Sequence, residues 1–141
     1  MATEFIYNDV QLVEAGNNVL FNDSIACKSG QVIHRNGAGV LTLKGKTNNC
    51  YAQYQVTFNG NIGLPTGATP GETSIALALE GEPILTSRAI FNAYSAGPYG
   101  NVTSTAIIKV PKCCCFSLSV KNTSGVPINV QNANLTISRI A

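Results

Sequence analysis

The chain has 141 residues, 45% of them hydrophobic but only 11% charged, against roughly 25% charged in an ordinary soluble domain. One domain with a normal core is the expectation, with a surface covered by Asn, Thr, Ser, Gln and Gly. Nine Lys and Arg against seven Asp and Glu leave a net charge of +2. The cations are scattered singly, which excludes the clustered footprint that nucleic acid needs.

Residues 1–9, MATEFIYND, are read as an N-terminal arm, and residues 10–141 as a single domain. The start is acidic and lacks a basic segment followed by an apolar run, so no signal peptide is expected. No apolar run approaches the roughly 20 residues that cross a bilayer, so membrane insertion is not expected either. From Val10 onward the signals are those of strands. VIHRNGAGVLTLKG reads as a hairpin turning at Asn36-Gly37, with Leu41 and Leu43 on the core side. CYAQYQVTFNGN is the clearest strand: Ala52, Tyr54, Val56 and Phe58 share one face, and Tyr51, Gln53, Gln55 and Thr57 the other. Asn59-Gly60 is expected to break it, and GNIGLPTGATPGE to form a long surface loop.

In TSIALALEGEPILTSRAIFNA, Ile75, Leu77 and Leu79 alternate before Gly81, and a returning strand is expected from Ile84. NAYSAGPYGN is a turn-rich loop carrying Tyr94 and Tyr99. VTSTAIIKVP resumes strand character, with Thr103, Thr105, Ile107 and Lys109 opposite Val102, Ala106, Ile108 and Val110, until Pro111 stops it. CCCFSLSVKN alternates Phe116, Leu118 and Val120 with Ser117, Ser119 and Lys121, and Thr123-Ser124-Gly125 turns the chain. INVQNANLTISRIA ends on an apolar strand, which must be docked within a sheet to stay ordered. About eight to ten short strands with no helical period argue for an all-β antiparallel sandwich or jelly roll. An immunoglobulin-like sandwich is the alternative, but the chain has no Trp, one of the usual markers of that fold.

Chemistry is hard to place on this sequence. His34 is the sole histidine, read as a surface or rim residue; a nucleophile would require it to meet Cys50 or the run Cys113-Cys114-Cys115. Glu80 and Glu82 flank Gly81 at a hairpin tip, where acids are usually solvated. Asp9, Asp23 and Glu72 lack the spacing of a calcium loop. The cysteines, Cys27, Cys50 and Cys113 to Cys115, form no CxxC pair, so neither zinc nor any other cofactor is expected. They are read as reduced, buried thiols, with disulfides formed after lysis or between subunits as the alternative, and Cys114 is expected to point away from its two neighbours. N-x-[ST] sequons at Asn22, Asn101, Asn122 and Asn134 are what chance gives in so Asn- and Thr-rich a chain. Tyr94 and Tyr99 are the candidate ligand loop, since exposed tyrosines stack on sugars or anchor protein contacts.

The succession NVLFND, GVLTLKG, CYAQYQVTFNGN, SIALALEGEPILTS, VTSTAIIKVP, FSLSVKNTS and NANLTISRIA resembles the C-terminal globular domain of collagen-like exosporium glycoproteins, with related small proteins in Firmicutes and their prophages. The resemblance spans roughly Val10 to Ala141. It implies a jelly roll of the tumour necrosis factor and complement-head type, assembled as a homotrimer around its first, third, sixth and last strands. Carried onto this sequence, the trimer interface comprises Tyr51, Gln53, Gln55, Thr57, Thr103, Thr105, Ile107 and Ile140. The Cys113-Cys114-Cys115 run departs from the pattern, and residues 1–9 hold no Gly-x-y repeat of the kind a collagen-like stalk would show. The expected function is non-enzymatic: a trimeric decoration, fibre or tail-associated protein of a phage or prophage virion, attached to the larger particle through residues 1–9. The alternatives are a spore- or cell-surface coat protein and a carbohydrate-binding module.

Overall fold

The computed structural model describes residues 2–25 and 31–141. Among the described residues twelve strands follow one another: β1 (Ala2–Tyr7), β2 (Gln11–Val13), β3 (Asp23–Ile25), β4 (Val32–His34), β5 (Val40–Lys44), β6 (Tyr51–Gly63), β7 (Gly71–Leu79), β8 (Glu82–Pro83), β9 (Ala89–Ala93), β10 (Tyr99–Pro111), β11 (Cys115–Asn122) and β12 (Ile128–Arg139). The only helical element among the described residues is a single 3-10 turn, Leu85–Ser87. One sheet has the order β10-β6-β12-β1-β3, with β2 also paired to β12. The other has the order β4-β5-β11-β7-β8, with β9 also paired to β7. Every ladder is antiparallel. This is the jelly-roll sandwich that the alternation predicts.

Period two explains why the sheets stack. Tyr54, Val56, Phe58, Ile108, Val110, Leu135 and Ile137 from the first sheet meet Leu41, Leu43, Ile75, Leu77, Leu118 and Val120 from the second, in one buried cluster. Each such side chain contributes about 1.5–3 kcal/mol on leaving water. Asn36-Gly37 makes the expected hairpin turn, with Gly37 at φ 89° and Val32 opposite Leu43 across the ladder. β12 is docked as expected, between β6 and β1.

Four expectations need correction. Residues 2–7 are not an arm: β1 is laced between β12 and β3, with Thr3 and Phe5 buried in its pleat. Asn59-Gly60 does not end β6, which runs on to Gly63. Gly60 is required there because a Cβ would sit 2.9 Å from Cζ of Phe58, and the irregularity falls on the partner: β12 carries an extra residue between Gln131 and Asn134. Asn132 takes φ 56° in that bulge. The loop after β6 is therefore only 64–70.

The return from β7 is also not one strand from Ile84. Glu80 at φ 52° and Gly81 at φ 82° close a tight turn of the primed kind into the two residues of β8, and the 3-10 turn precedes β9. Ser87 anchors that turn, its hydroxyl donating to Ile84 O at 2.6 Å and accepting from Leu77 N at 3.0 Å. Finally, Cys50, Cys113, Cys114 and Cys115 are exposed free thiols, not buried ones. Cys113 and Cys114 occupy the turn between β10 and β11, so strand alternation does not govern where they point; only Cys115 lies on a strand. Cys27 lies outside the described residues.

Candidate functional site

β6 and β10 each run 13 residues, and their alternation leaves a second, outward face. The register assembles that face into rows. Thr105 faces Thr57, Thr57 faces Thr136, and Thr136 faces Glu4, across four strands. Beside it, Ile107 faces Gln55, Gln55 faces Ser138, and Ser138 faces Ala2. On the other flank, Thr103, Asn59, Asn134 and Ile6 stand in line. Among the outward positions of β1, β6, β10 and β12, only Glu4 and Lys109 carry a charge.

One half of the face is a hydrogen-bonded mesh. The Thr57 and Thr105 hydroxyls are 2.7 Å apart. Nδ2 of Asn101 donates to Oδ1 of Asn59 at 3.0 Å and of Asn61 at 3.1 Å, and the Thr103 hydroxyl donates to Asn59 at 3.1 Å. Asn61 donates to Asn132 at 3.1 Å, and Asn132 to Asn8 Oδ1 at 2.9 Å. Asn134 donates to the Glu4 carboxylate. The amides satisfy one another across the sheet, so they need less water than isolated side chains would.

The other half is mixed, with open apolar groups set among Gln53, Gln55 and Lys109. Ile107 is 61% exposed and Ile140 46%, and Tyr51 carries Lys109 Nζ 4.8 Å from its ring centroid. Backbone bonds hold the terminus here: Ile140 N donates to Gln53 O at 2.9 Å, and Gln53 N to Ala141 O at 3.1 Å. Of the eight residues expected at an interface, Tyr51, Gln53, Gln55, Thr57, Thr103, Thr105 and Ile107 share this face, with Ile140 at its end. The mesh of Asn8, Asn59, Asn61, Asn101, Asn132 and Asn134 was not anticipated. Single asparagines carry no signal in the sequence; only the strand register unites them.

The two candidate ligand-loop tyrosines part company. Tyr94 is 94% exposed. Tyr99 opens β10 opposite Gly63, where its ring lies so close that a Cβ on Gly63 would be 3.2 Å from Cδ1. His34 is half buried, its Nε2 donating to Ala38 O at 2.9 Å, its ring edge-on to Phe5 and Phe21. That is the setting of a packing residue. Asn122 is fully buried, donating to Val13 O and Val126 O at 3.0 Å each, so this sequon is a structural amide. Glu80 accepts from Ser117 N at 2.6 Å, which makes it a brace for its hairpin. Tyr54 donates to Lys44 O at 2.5 Å beneath the Arg139 guanidinium, and burial pushes its phenol above its ordinary pKa. Among the described residues, no three His, Cys, Asp or Glu side chains converge as metal ligands, and no helix is long and apolar enough to cross a membrane.

No protein-family model and no curated protein sequence matches this chain. Solved structures do. Eiger TNF from S. frugiperda superposes with a TM-score of 0.75 at 16% identity, covering 100% of this chain and 92% of that one. The globular domain of zebrafish complement 1qA gives 0.68 at 14% identity, over 99% and 97%. Murine APRIL, in a crystal structure at pH 5.0, gives 0.68 at 9% identity, over 99% and 100%. Identities this low speak for architecture alone, and the near-complete coverage speaks for all of it: the chain has the jelly-roll fold of the tumour necrosis factor and complement 1q globular domains.

Proposed function

We propose that the outward face of the β10-β6-β12-β1-β3 sheet is a self-association surface, and that the chain is a non-enzymatic structural module assembled as a homotrimer. The observation that carries this is the face itself: two 13-residue strands present a neutral, internally hydrogen-bonded surface ending in exposed Ile107, Tyr51 and Ile140. Desolvating such a face costs little, because few charges must be stripped of water. The likeness to complement 1q and tumour necrosis factor domains, and the resemblance of the segments to exosporium head domains, favour three copies over two.

The role proposed for that trimer is a decoration, fibre or tail-associated component of a phage or prophage virion, with a spore- or cell-surface coat as the alternative. Sedimentation equilibrium of the reduced protein tests the assembly: the expected mass is three times the 14.8 kDa chain, and a monomer at micromolar concentration refutes it. Antibody labelling of purified virions and spores then separates the two settings. The 94% exposure of Tyr94 favours one second reading, a glycan-binding loop with Tyr99 as its less exposed neighbour. A glycan array with the Tyr94→Ala variant tests it, and an array without sugar-dependent signal discards it.

A further inference from the structure

The β10–β11 turn concentrates the chain's reactive groups. Cysteine is among the residue types most often buried, yet Cys50, Cys113, Cys114 and Cys115 are all exposed and free. They lie together at one end of the sandwich. Pro111 closes the β10–β6 ladder opposite Tyr51, and the next residue along, Lys112, donates its N–H to Cys50 O at 2.9 Å. A hollow lined by Cys50, Tyr51, Gln53, Lys112 and Ala141 joins this end to the outward face of the sheet.

The turn is held rigidly, at a cost. Cys114 N donates to Pro111 O at 3.0 Å, and Cys113 takes φ 65°, a position where such turns ordinarily place glycine. Gly45 presses against the turn from behind, donating to Cys114 O at 2.8 Å and accepting from Cys113 N at 3.2 Å. A cysteine standing where glycine would be unstrained is the kind of backbone outlier that clusters at functional sites.

We propose that this end of the domain is a covalent docking site for a second copy of the chain, joined through disulfides of the Cys113-Cys114-Cys115 turn. The proposal extends the self-association reading, sharing its premise that copies of this chain meet. Adjacent cysteines do not bridge each other readily, since their Cα atoms are about 3.8 Å apart across a trans peptide and a disulfide spans roughly 4.4–6.8 Å. Every copy carries the same run at the same end, so a twofold-related pair brings like against like. Three consecutive thiols on a fixed platform give that pair several registers in which one bridge meets the distance requirement.

The oxidant is a small-molecule disulfide. A thiolate of one copy attacks it and expels one small thiol, leaving a mixed disulfide. The second copy's thiolate displaces the other, so two protein thiols become one bridge, and the small disulfide is reduced to two thiols that take up the protons.

The test mixes unlabelled and 15N-labelled full-length chains in a glutathione redox buffer, quenches by alkylation and separates them on a non-reducing denaturing gel. Covalent dimers and larger species are expected, with mixed-isotope peptides joining the 113–115 turns of two chains. The C113S/C114S/C115S variant should lose them while keeping the far-ultraviolet dichroism and melting temperature of the reduced wild type. Bands of monomer size only, carrying glutathione caps or intrachain bridges, overturn the proposal; so do covalent dimers that survive the triple substitution. Native mass under reducing conditions reports the sheet face alone. A reduced trimer that never cross-links defeats the thiol proposal and spares the trimer, whereas a reduced monomer that cross-links through the turn does the reverse.

Discussion

Ile107 gives the sharpest test of the self-association face. It is 61% exposed, sits mid-strand on β10 opposite Gln55, and makes no demand on the core. Full burial of an isoleucine side chain is worth about 1.5–3 kcal/mol, so covering the exposed 61% in a trimer stabilises each protomer by about 1–2 kcal/mol. Over three protomers the sum is about 3–5 kcal/mol, equivalent to about 10²–10⁴ in the trimer dissociation constant at 1.4 kcal/mol per decade. Ile107→Ala, which keeps the Cβ, should weaken the trimer by up to that factor. Ile107→Lys should abolish it at micromolar concentration, because it brings three added cations into a desolvated seam already holding Lys109.

Sedimentation velocity over a concentration series reads the constant directly. Ile90 is the control: it is 54% exposed but lies on β9, in the other sheet. Ile90→Ala should leave the constant unchanged, and neither alanine variant should move the melting temperature of the reduced monomer. The reasoning fails if Ile107→Ala trimerises as tightly as the wild type, or if Ile90→Ala weakens the trimer equally.

Three further outcomes follow from the packing. Gly45→Ala places a Cβ 2.0 Å from the Pro111 carbonyl oxygen, backbone against backbone with no flexible group to yield, so chemical denaturation should show a loss above about 2 kcal/mol. Cys113→Gly should raise stability by up to about 1 kcal/mol, and Cys113→Val lower it by about 1–2 kcal/mol, since φ 65° suits glycine and crowds a β-branched side chain; equal melting temperatures would contradict this. The raised pKa of buried Tyr54 means the unfolded chain loses its phenolic proton first. Stability from this group is therefore complete below about pH 10 and declines as pH climbs toward the folded value. Tyr54→Phe, although weaker overall for want of the bond to Lys44, should show a flatter alkaline decline in urea midpoint.

The sandwich was legible because one face of each long strand is greasy. Ala52, Tyr54, Val56 and Phe58 declare β6 with no help from the partner strands. Legibility ended where a partner decides the outcome. Asn59-Gly60 has turn chemistry, but the ring of Phe58 needs the space a glycine leaves, and β12 takes up the mismatch in its own bulge. The segment TEFIY alternates too, with Thr3 and Phe5 inward, but it is short and includes a charge; its place is fixed by two neighbours that arrive later in the chain. The thiols follow a related rule. Residue type argues for burial, whereas Cys113 and Cys114 are exposed in a turn braced by Gly45, some 70 positions earlier in sequence.

The same logic governs the candidate site. Threonines at 57, 105 and 136 are ordinary strand residues until antiparallel register sets them side by side, and asparagines at 8, 59, 61, 101 and 132 are ordinary polar residues until register and the bulge at Asn132 link them. Amides and hydroxyls that bond to each other have part of their hydrogen-bonding capacity already met before anything covers them. A face so prepared loses less on leaving water than a charged one and holds its side chains in fewer rotamers, which lowers the entropy lost on contact. A partner must meet both the polar mesh and the Ile107 end at once, and a sister chain related by rotation presents the same two-part surface.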